Sequence, residues 1–357
     1  MAVVKPFRAL RYDEAKAGPL ESLVAPPYDV ISAEERAEYR QAPHNVVHLT
    51  LPDSEQQAGQ TLERWRAEGV LVEEPPAVWL LVQDYVGPDG IERRRSGIVA
   101  SLKVEPYETG TVLPHERTHA GPKEGRLRLL RATGVQLEPI FLLYDGSAPV
   151  EAPEREPDLA VEGASLWRLE DPAVVRAFDD KQLLIADGHH RYETALAYHE
   201  EEGTPASAQM LVVLVSTEDP GLEIFPTHRV FAGAKRLKGE REPVADPEAA
   251  LNGLGVGATQ SPTVVEVTRD GAALVRGEPG LLDVQLVDSL GHDGITYTPD
   301  AAEALRRVRD GEAEVAYLMR PTRIEDVFAY ARRGEVLPQK TTYFFPKLVT
   351  GLLFQPL

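Results

Sequence analysis

Cysteine is absent from this 357-residue chain. Disulfides, thiolate nucleophiles, thiolate zinc sites and iron–sulfur clusters are thereby excluded. Long apolar runs are missing too. No stretch reaches the ~18 residues of a membrane span, and the opening MAVVKPFRALRYDEAKAG has no apolar signal core. A cytoplasmic protein is expected. Positive charge is scarce: 57 acidic residues outweigh 38 basic ones, for a formal net charge of −19. Duplex DNA and anionic membranes both require a basic face, so neither nucleic acid nor membrane is an expected partner. Phosphate chemistry would have to rest on a local cluster of donors. A Walker A loop and GxGxxG are both lacking, which excludes the P-loop and Rossmann fingerprints.

What is present describes an ordinary globular chain, 43% hydrophobic and 27% charged. The patterning predicts a mixed α/β fold in three regions, 1–100, 101–230 and 231–357. In the first, VVKPFRALRY reads as a strand and APPYDVIS as a rigid turn whose prolines fix φ. Ser32 and Glu35 form a capping box for a helix over AEERAEYRQ. TLERWRAEGVL is an amphipathic helix stopping at Gly69, and AVWLLVQDYV and IERRRSGIVASLKVE form a hairpin across GPDG. In the second, strand LEPIFLLYD, helix DPAVVRAFDD, strand LLIAD, helix RYETALAYHEEE and the apolar strand MLVVLVS suggest a sheet covered on both faces. In the third, EPVADPEAALNGLG and PDAAEALRRVRDGEA read as helices, with TVVEVTRD, AALVRG and EVAYLMR as strands.

The unusual chemistry is concentrated in LLIADGHHRYET, residues 183–194. A strand runs through Asp187 and Gly188 into a helix start carrying His189, His190 and Arg191. Glycine permits a positive φ and close ligand approach. A helix N-terminus attracts anions through its unpaired N–H groups and dipole, and Arg191 adds a planar fork of donors. Phosphate or nucleotide binding is one reading; Asp187 as a helix cap with solvated histidines is the other. A second cluster, PHERTH at 114–119, formally contains H-E-x-x-H. A zinc peptidase needs that motif on one continuous helix, which Pro114, Gly121 and Pro122 oppose. Glu116 can instead serve as a single catalytic carboxylate on a loop. Thr227, His228 and Arg229 follow the strand MLVVLVS and fall near the junction. His44 and His48 read as structural. Lys123 and Lys340 each set a lysine beside small donors, a weak anion signal.

The blocks APPYDVIS, LPHERT with GPKEGR, PIFLLYD, IADGHHRYETAL, PTHR and PQKTTYFFPKL occur in the order found in the domain-of-unknown-function family one thousand fifteen, which the chain resembles over nearly its whole length. Gly125 departs from that pattern, where an acidic residue is expected. The central region is similar to the ParB/sulfiredoxin superfamily, which includes free-serine kinases. The resemblance implies a ParB/sulfiredoxin-like nucleotide-binding core over 101–230 with N- and C-terminal α/β elaborations. It implies that Gly188, His189, His190 and Arg191 cradle nucleotide phosphates. By the same likeness, Glu116 in Pro114-His115-Glu116 is the base that deprotonates serine, and Asp187 contacts substrate or metal. Sulfiredoxin chemistry needs a cysteine, and ParB-type DNA binding a basic helix-turn-helix; neither is present. The expected reaction is phosphoryl transfer from ATP or ADP, with Mg²⁺ at Asp187, to a small amino acid such as L-serine. His115, Thr227, His228 and Arg229 would bind that substrate. A nucleotide-binding regulatory protein without turnover and a zinc hydrolase using His115 and His119 are the alternatives. Oligomeric state, including a homodimer, is left open.

Overall fold

In the computed structural model, which describes residues 1–116, 120–255 and 261–357, side-chain alternation sorts the long strands onto two faces. Trp79, Leu81, Val99, Phe141, Leu143, Leu211 and Val213 point into one apolar layer. Their neighbours Leu80, Val82, Ile98, Leu142, Val212 and Leu214 point into the other. Period-two patterning with both faces apolar dictates a sheet with cover on each side. Among the described residues this sheet has nine strands. From one edge the order is Val112–Leu113, Leu183–Asp187, Ile140–Tyr144, Gln209–Ser216, Glu92–Lys103, Val78–Val86, Ala164–Leu169 and Leu159–Val161, with Val4–Lys5 pairing beside the end of Glu92–Lys103. Leu183–Asp187 runs antiparallel to Ile140–Tyr144, and Gln209–Ser216 runs parallel to it. The fold is mixed α/β, as the patterning predicts. No helix among the described residues is long and apolar enough to cross a membrane.

Several elements depart from the expected boundaries. Residue 100 lies inside strand Glu92–Lys103, whose hydrogen bonds continue on both sides, so the sheet runs through the boundary expected there. VVKPFRALRY divides around Pro6, which has no N–H for a ladder, into Val4–Lys5 and Leu10–Tyr12 in separate sheets. EPVADPEAAL also divides: Glu240–Val244 is a strand, and Asp246 caps a helix beginning at Pro247. Proline at the first helical position suits a helix start, whereas Pro243 inside a helix would break it. DPAVVRAFDD forms a 3₁₀ helix over Pro172–Phe178. The capping box of Ser32 and Glu35 is present.

A second, six-stranded antiparallel sheet follows: Glu240–Val244, Gly271–Arg276, Thr263–Thr268, Val315–Leu318, His228–Phe231 and Ile295–Thr298. The final stretch then returns to the first part of the molecule. Tyr343–Phe345 pairs with Glu223–Phe225, and Gln355–Pro356 pairs with Val135–Gln136. Phe344, Leu348, Leu352, Leu353 and Phe354 are buried in the layer that also holds Trp65 and Trp79. Arg95, only 1% exposed, donates to the carbonyls of Phe345 (3.1 Å) and Pro346 (2.7 Å) and to Gln83, and its guanidinium lies over Phe141. This buried guanidinium clamps the returning segment onto the sheet.

Candidate active site

Strand Leu183–Asp187 ends in a register shift between Ile185 and Asp187, a bulge-like irregularity that re-aims the last side chain. Gly188 follows with φ 103°, and helix His189–Glu202 begins. A β-carbon at Gly188 would lie 2.5 Å from Ile140 Cγ2, so position and conformation both require glycine. No side chain caps the helix start. The capping role considered for Asp187 is thus not observed.

Asp187 is instead an anion between two cations. Arg191 Nη2 donates to Oδ2 at 2.6 Å, and Lys347 Nζ donates to Oδ1. Burial opposes its ionisation, but Lys347 and Arg191 outweigh burial and hold its pKa at about 2. Both oxygens are spoken for. Among the described residues no group of three carboxylates or imidazoles converges on a metal position, and a Mg²⁺ ion at Asp187, the role expected from the resemblance, would have to displace Lys347 or Arg191 from its oxygens. Arg191 is committed too, with Nη1 on the Pro139 carbonyl.

Glu116 reaches the same place from the other side. It accepts a hydrogen bond from the Lys340 backbone N–H, and burial raises its pKa against the pull of the Lys340 charge. About a quarter of its side chain, 23%, stays exposed. Beside it His115 is fully buried. Its Nδ1 donates to the Ile185 carbonyl at 2.7 Å and its Nε2 accepts from the Thr342 hydroxyl at 3.0 Å, which fixes one neutral tautomer. The His115 N–H donates to His189 Nε2 at 3.2 Å, and the two rings meet edge to face. Burial pushes His115 down to about 4 and His189 well below the usual range. His115 therefore joins the strand, the helix start and the C-terminal segment, and does not face a substrate. The zinc reading of H-E-x-x-H fails on the same facts: both ring nitrogens of His115 are engaged, and His115 and Glu116 precede a helix that begins at Ala120. His119 lies outside the described residues.

These groups line two adjoining recesses of about 290 and 280 Å³. Both are bordered by Asp29, Glu116, Asp187, His189 and Lys340. One recess extends to Thr227, Tyr297, Thr342, Tyr343 and Lys347. The other extends to Tyr28, Gly188, His190 and Arg191. The loop bearing Asp29 is held from below, where the Tyr28 N–H donates to buried Glu138 at 3.0 Å. Of the expected residues, Glu116, Asp187, Gly188, His189, His190, Arg191 and Thr227 reach the cleft. His228 and Arg229 do not; they are 1% and 2% exposed. His228 Nδ1 accepts from the Met319 N–H, and Arg229 donates to the Thr227 and Gln339 carbonyls. Arg229 thus shapes the cleft wall from behind. Lys123 pairs with Glu193 away from the cleft, at 3.6 Å. His44 and His48 bond the carbonyls of Ala17 and Ala42 and pack edge-on against Trp65, a structural role, with His48 inside the helical turn Val47–Thr50.

Asp29, Tyr297 and Lys347 are site residues that sequence reasoning did not single out. APPYDVIS and PQKTTYFFPKL were the available signals for Asp29 and Lys347, since both combine fixed prolines with polar residues at their turns; Tyr297 lies in neither. Comparison with known proteins gives a family model, described as "Protein of unknown function (DUF1015)", matching residues 4–245. No curated protein matches. Among solved structures, a free serine kinase in complex with AMP is 16% identical with a TM-score of 0.41, over 68% of this chain and 89% of that one. A conserved hypothetical protein from Pyrococcus furiosus is 16% identical with a TM-score of 0.37, over 66% and 87%. SbnI with a C-terminal truncation, from Staphylococcus aureus, is 13% identical with a TM-score of 0.36, over 71% and 81%.

Proposed function

The chain belongs to the DUF1015 family, and we propose that it transfers a phosphoryl group from ATP or ADP to the hydroxyl of a small amino acid, L-serine or a close analogue. The observation that carries this reading is the meeting of two recesses at Glu116, Asp187, His189 and Lys340. A donor and an acceptor seated one in each recess would touch at that seam. Phosphoryl transfer asks the protein mainly for positioning and charge stabilisation. The uncapped helix start at Gly188–Arg191 suits phosphate oxygens, and the recess with Thr227, Tyr297 and Thr342 offers hydroxyls and a ring face to a small polar acceptor.

Glu116 is the base. As the acceptor oxygen bonds to phosphorus, its proton passes to the Glu116 carboxylate, the bond from phosphorus to the nucleotide's bridging oxygen breaks, and the nucleotide leaves with that electron pair. Burial raises the basicity of Glu116 and so suits it to this role. Asp187 organises the charges opposite it by holding Lys347 and Arg191. The test incubates the protein with Mg²⁺, ATP or ADP and a panel of hydroxy-amino acids, read by phosphorus NMR. A new phosphomonoester resonance is expected with serine or an analogue, and no new resonance with any acceptor rejects the reading. Nucleotide binding without turnover is the second reading, favoured by the engagement of both Asp187 oxygens. It yields nucleotide binding and no phosphoserine.

A further inference from the structure

Lys340 has φ 56°, and it is the one residue other than glycine with a positive φ among the described residues. Side chains resist that region and glycine does not. Nothing in the local backbone calls for a lysine, so an ammonium group is kept at a position where glycine would be cheaper. Conformational cost retained at a cleft points to use of the side chain. The location agrees. Lys340 lines both recesses, and its N–H holds Glu116.

The other cations nearby are committed. Lys347 and Arg191 pair with Asp187, and Arg229 is buried against backbone carbonyls. Lys340 is exposed and its charge acts on Glu116, but among the described residues no carboxylate comes within ion-pair distance of it. The cleft also carries the carboxylates of Asp29, Glu116 and Asp187. A polyphosphate entering it needs a cation that is not already neutralised.

We propose that Lys340 is the anchor for the terminal phosphate of the nucleotide, the group next to Glu116 that is to be transferred. This rests on the phosphoryl-transfer reading. It makes the C-terminal segment, and not only the Gly188 turn, the reader of phosphate number. The ammonium would bind the terminal phosphate oxygens and stay with them as negative charge redistributes, while the neighbouring N–H keeps Glu116 aimed at the acceptor.

The test is calorimetric titration of the full-length protein with ATP, ADP and AMP, for the wild type, Lys340→Gly, Lys340→Met and Lys340→Arg. The wild type should bind ATP more tightly than AMP. Lys340→Gly and Lys340→Met should both lose about 10- to 100-fold of that preference, the range for one charge-assisted hydrogen bond, with AMP affinity retained. Lys340→Arg should keep most of it. Lys340→Gly should unfold at the same or higher temperature than the wild type, which separates charge from folding. An unchanged ratio of ATP to AMP affinity in both Lys340→Gly and Lys340→Met overturns this inference alone. A wild-type protein that binds none of the three nucleotides overturns the phosphoryl-transfer reading together with it.

Discussion

At Glu116, burial pushes the carboxyl towards its neutral form while the Lys340 charge and N–H pull the other way. Burial prevails, so Glu116 ionises above the usual glutamate range. Under the proposed phosphoryl transfer, activity should therefore rise with pH through an apparent pKa higher than that of an ordinary glutamate, because only the carboxylate form of Glu116 can accept the substrate proton. Glu116→Gln keeps the shape and removes the base; kcat should fall by about 10²–10⁴ with nucleotide affinity retained. Retention of near-full turnover by a folded Glu116→Gln protein would remove Glu116 from the role. Asp187→Asn is a different kind of change. It leaves Lys347 and Arg191 without their shared anion and should destabilise the protein by on the order of 3 kcal/mol, read as a lowered urea midpoint.

The turn at Gly188 belongs to the scale of elements, since strand, bulge and helix start converge on it. Gly188→Ala forces a side chain to φ 103° and into Ile140, at a cost of about 2–4 kcal/mol. Nucleotide binding should be lost alongside stability. Arg95→Ala should free the returning segment from the sheet and cost on the order of 3 kcal/mol by stranding the Phe345 and Pro346 carbonyls. Limited proteolysis should then cut within residues 338–357 first; a segment as resistant as in the wild type would contradict the clamp. Elements such as these show where sequence reasoning succeeds. LLIAD with GHHR declared its strand, turn and helix because period, glycine and apolar run agree locally. His228 and Arg229 lie beside the site with their side chains buried behind its wall; adjacency along the chain does not say which way a side chain points. Lys347 meets Asp187 from far along the sequence, and no local pattern encodes that meeting. His115 looked like a ligand for substrate, and only the convergence of Ile185, Thr342 and His189 on it reveals a linchpin.

At the scale of the whole molecule, several buried histidines make stability depend on pH. Burial, in each case the largest cause, holds His115 and His228 at about 4 in the folded protein, below the ~6.5 of an unfolded histidine. A depressed folded pKa contributes stability that is present above pH ~6.5 and is lost as pH falls towards 4, because the unfolded chain takes up the proton first. The urea midpoint should therefore drop between pH 7.5 and pH 5, and His228→Asn should flatten that slope. An equal midpoint at both pH values would show that these rings are not held neutral. The acidic balance of the chain, net charge −19, gives a general field that repels nucleotides, so binding must come from the few cations at the cleft.

The returning C-terminal segment also sets an order of events in the life of the chain. Lys340, Thr342, Tyr343 and Lys347 complete a cleft whose other walls are laid down by residues 28–30, Glu116, 186–191, Thr227 and 297–299. A nascent chain on the ribosome can build the central sheet long before it owns a working cleft. The proposed phosphoryl transfer would therefore become possible last, when synthesis has passed Lys347 and the segment has found its clamp. Prematurely terminated chains would then contain the central sheet and an incomplete cleft.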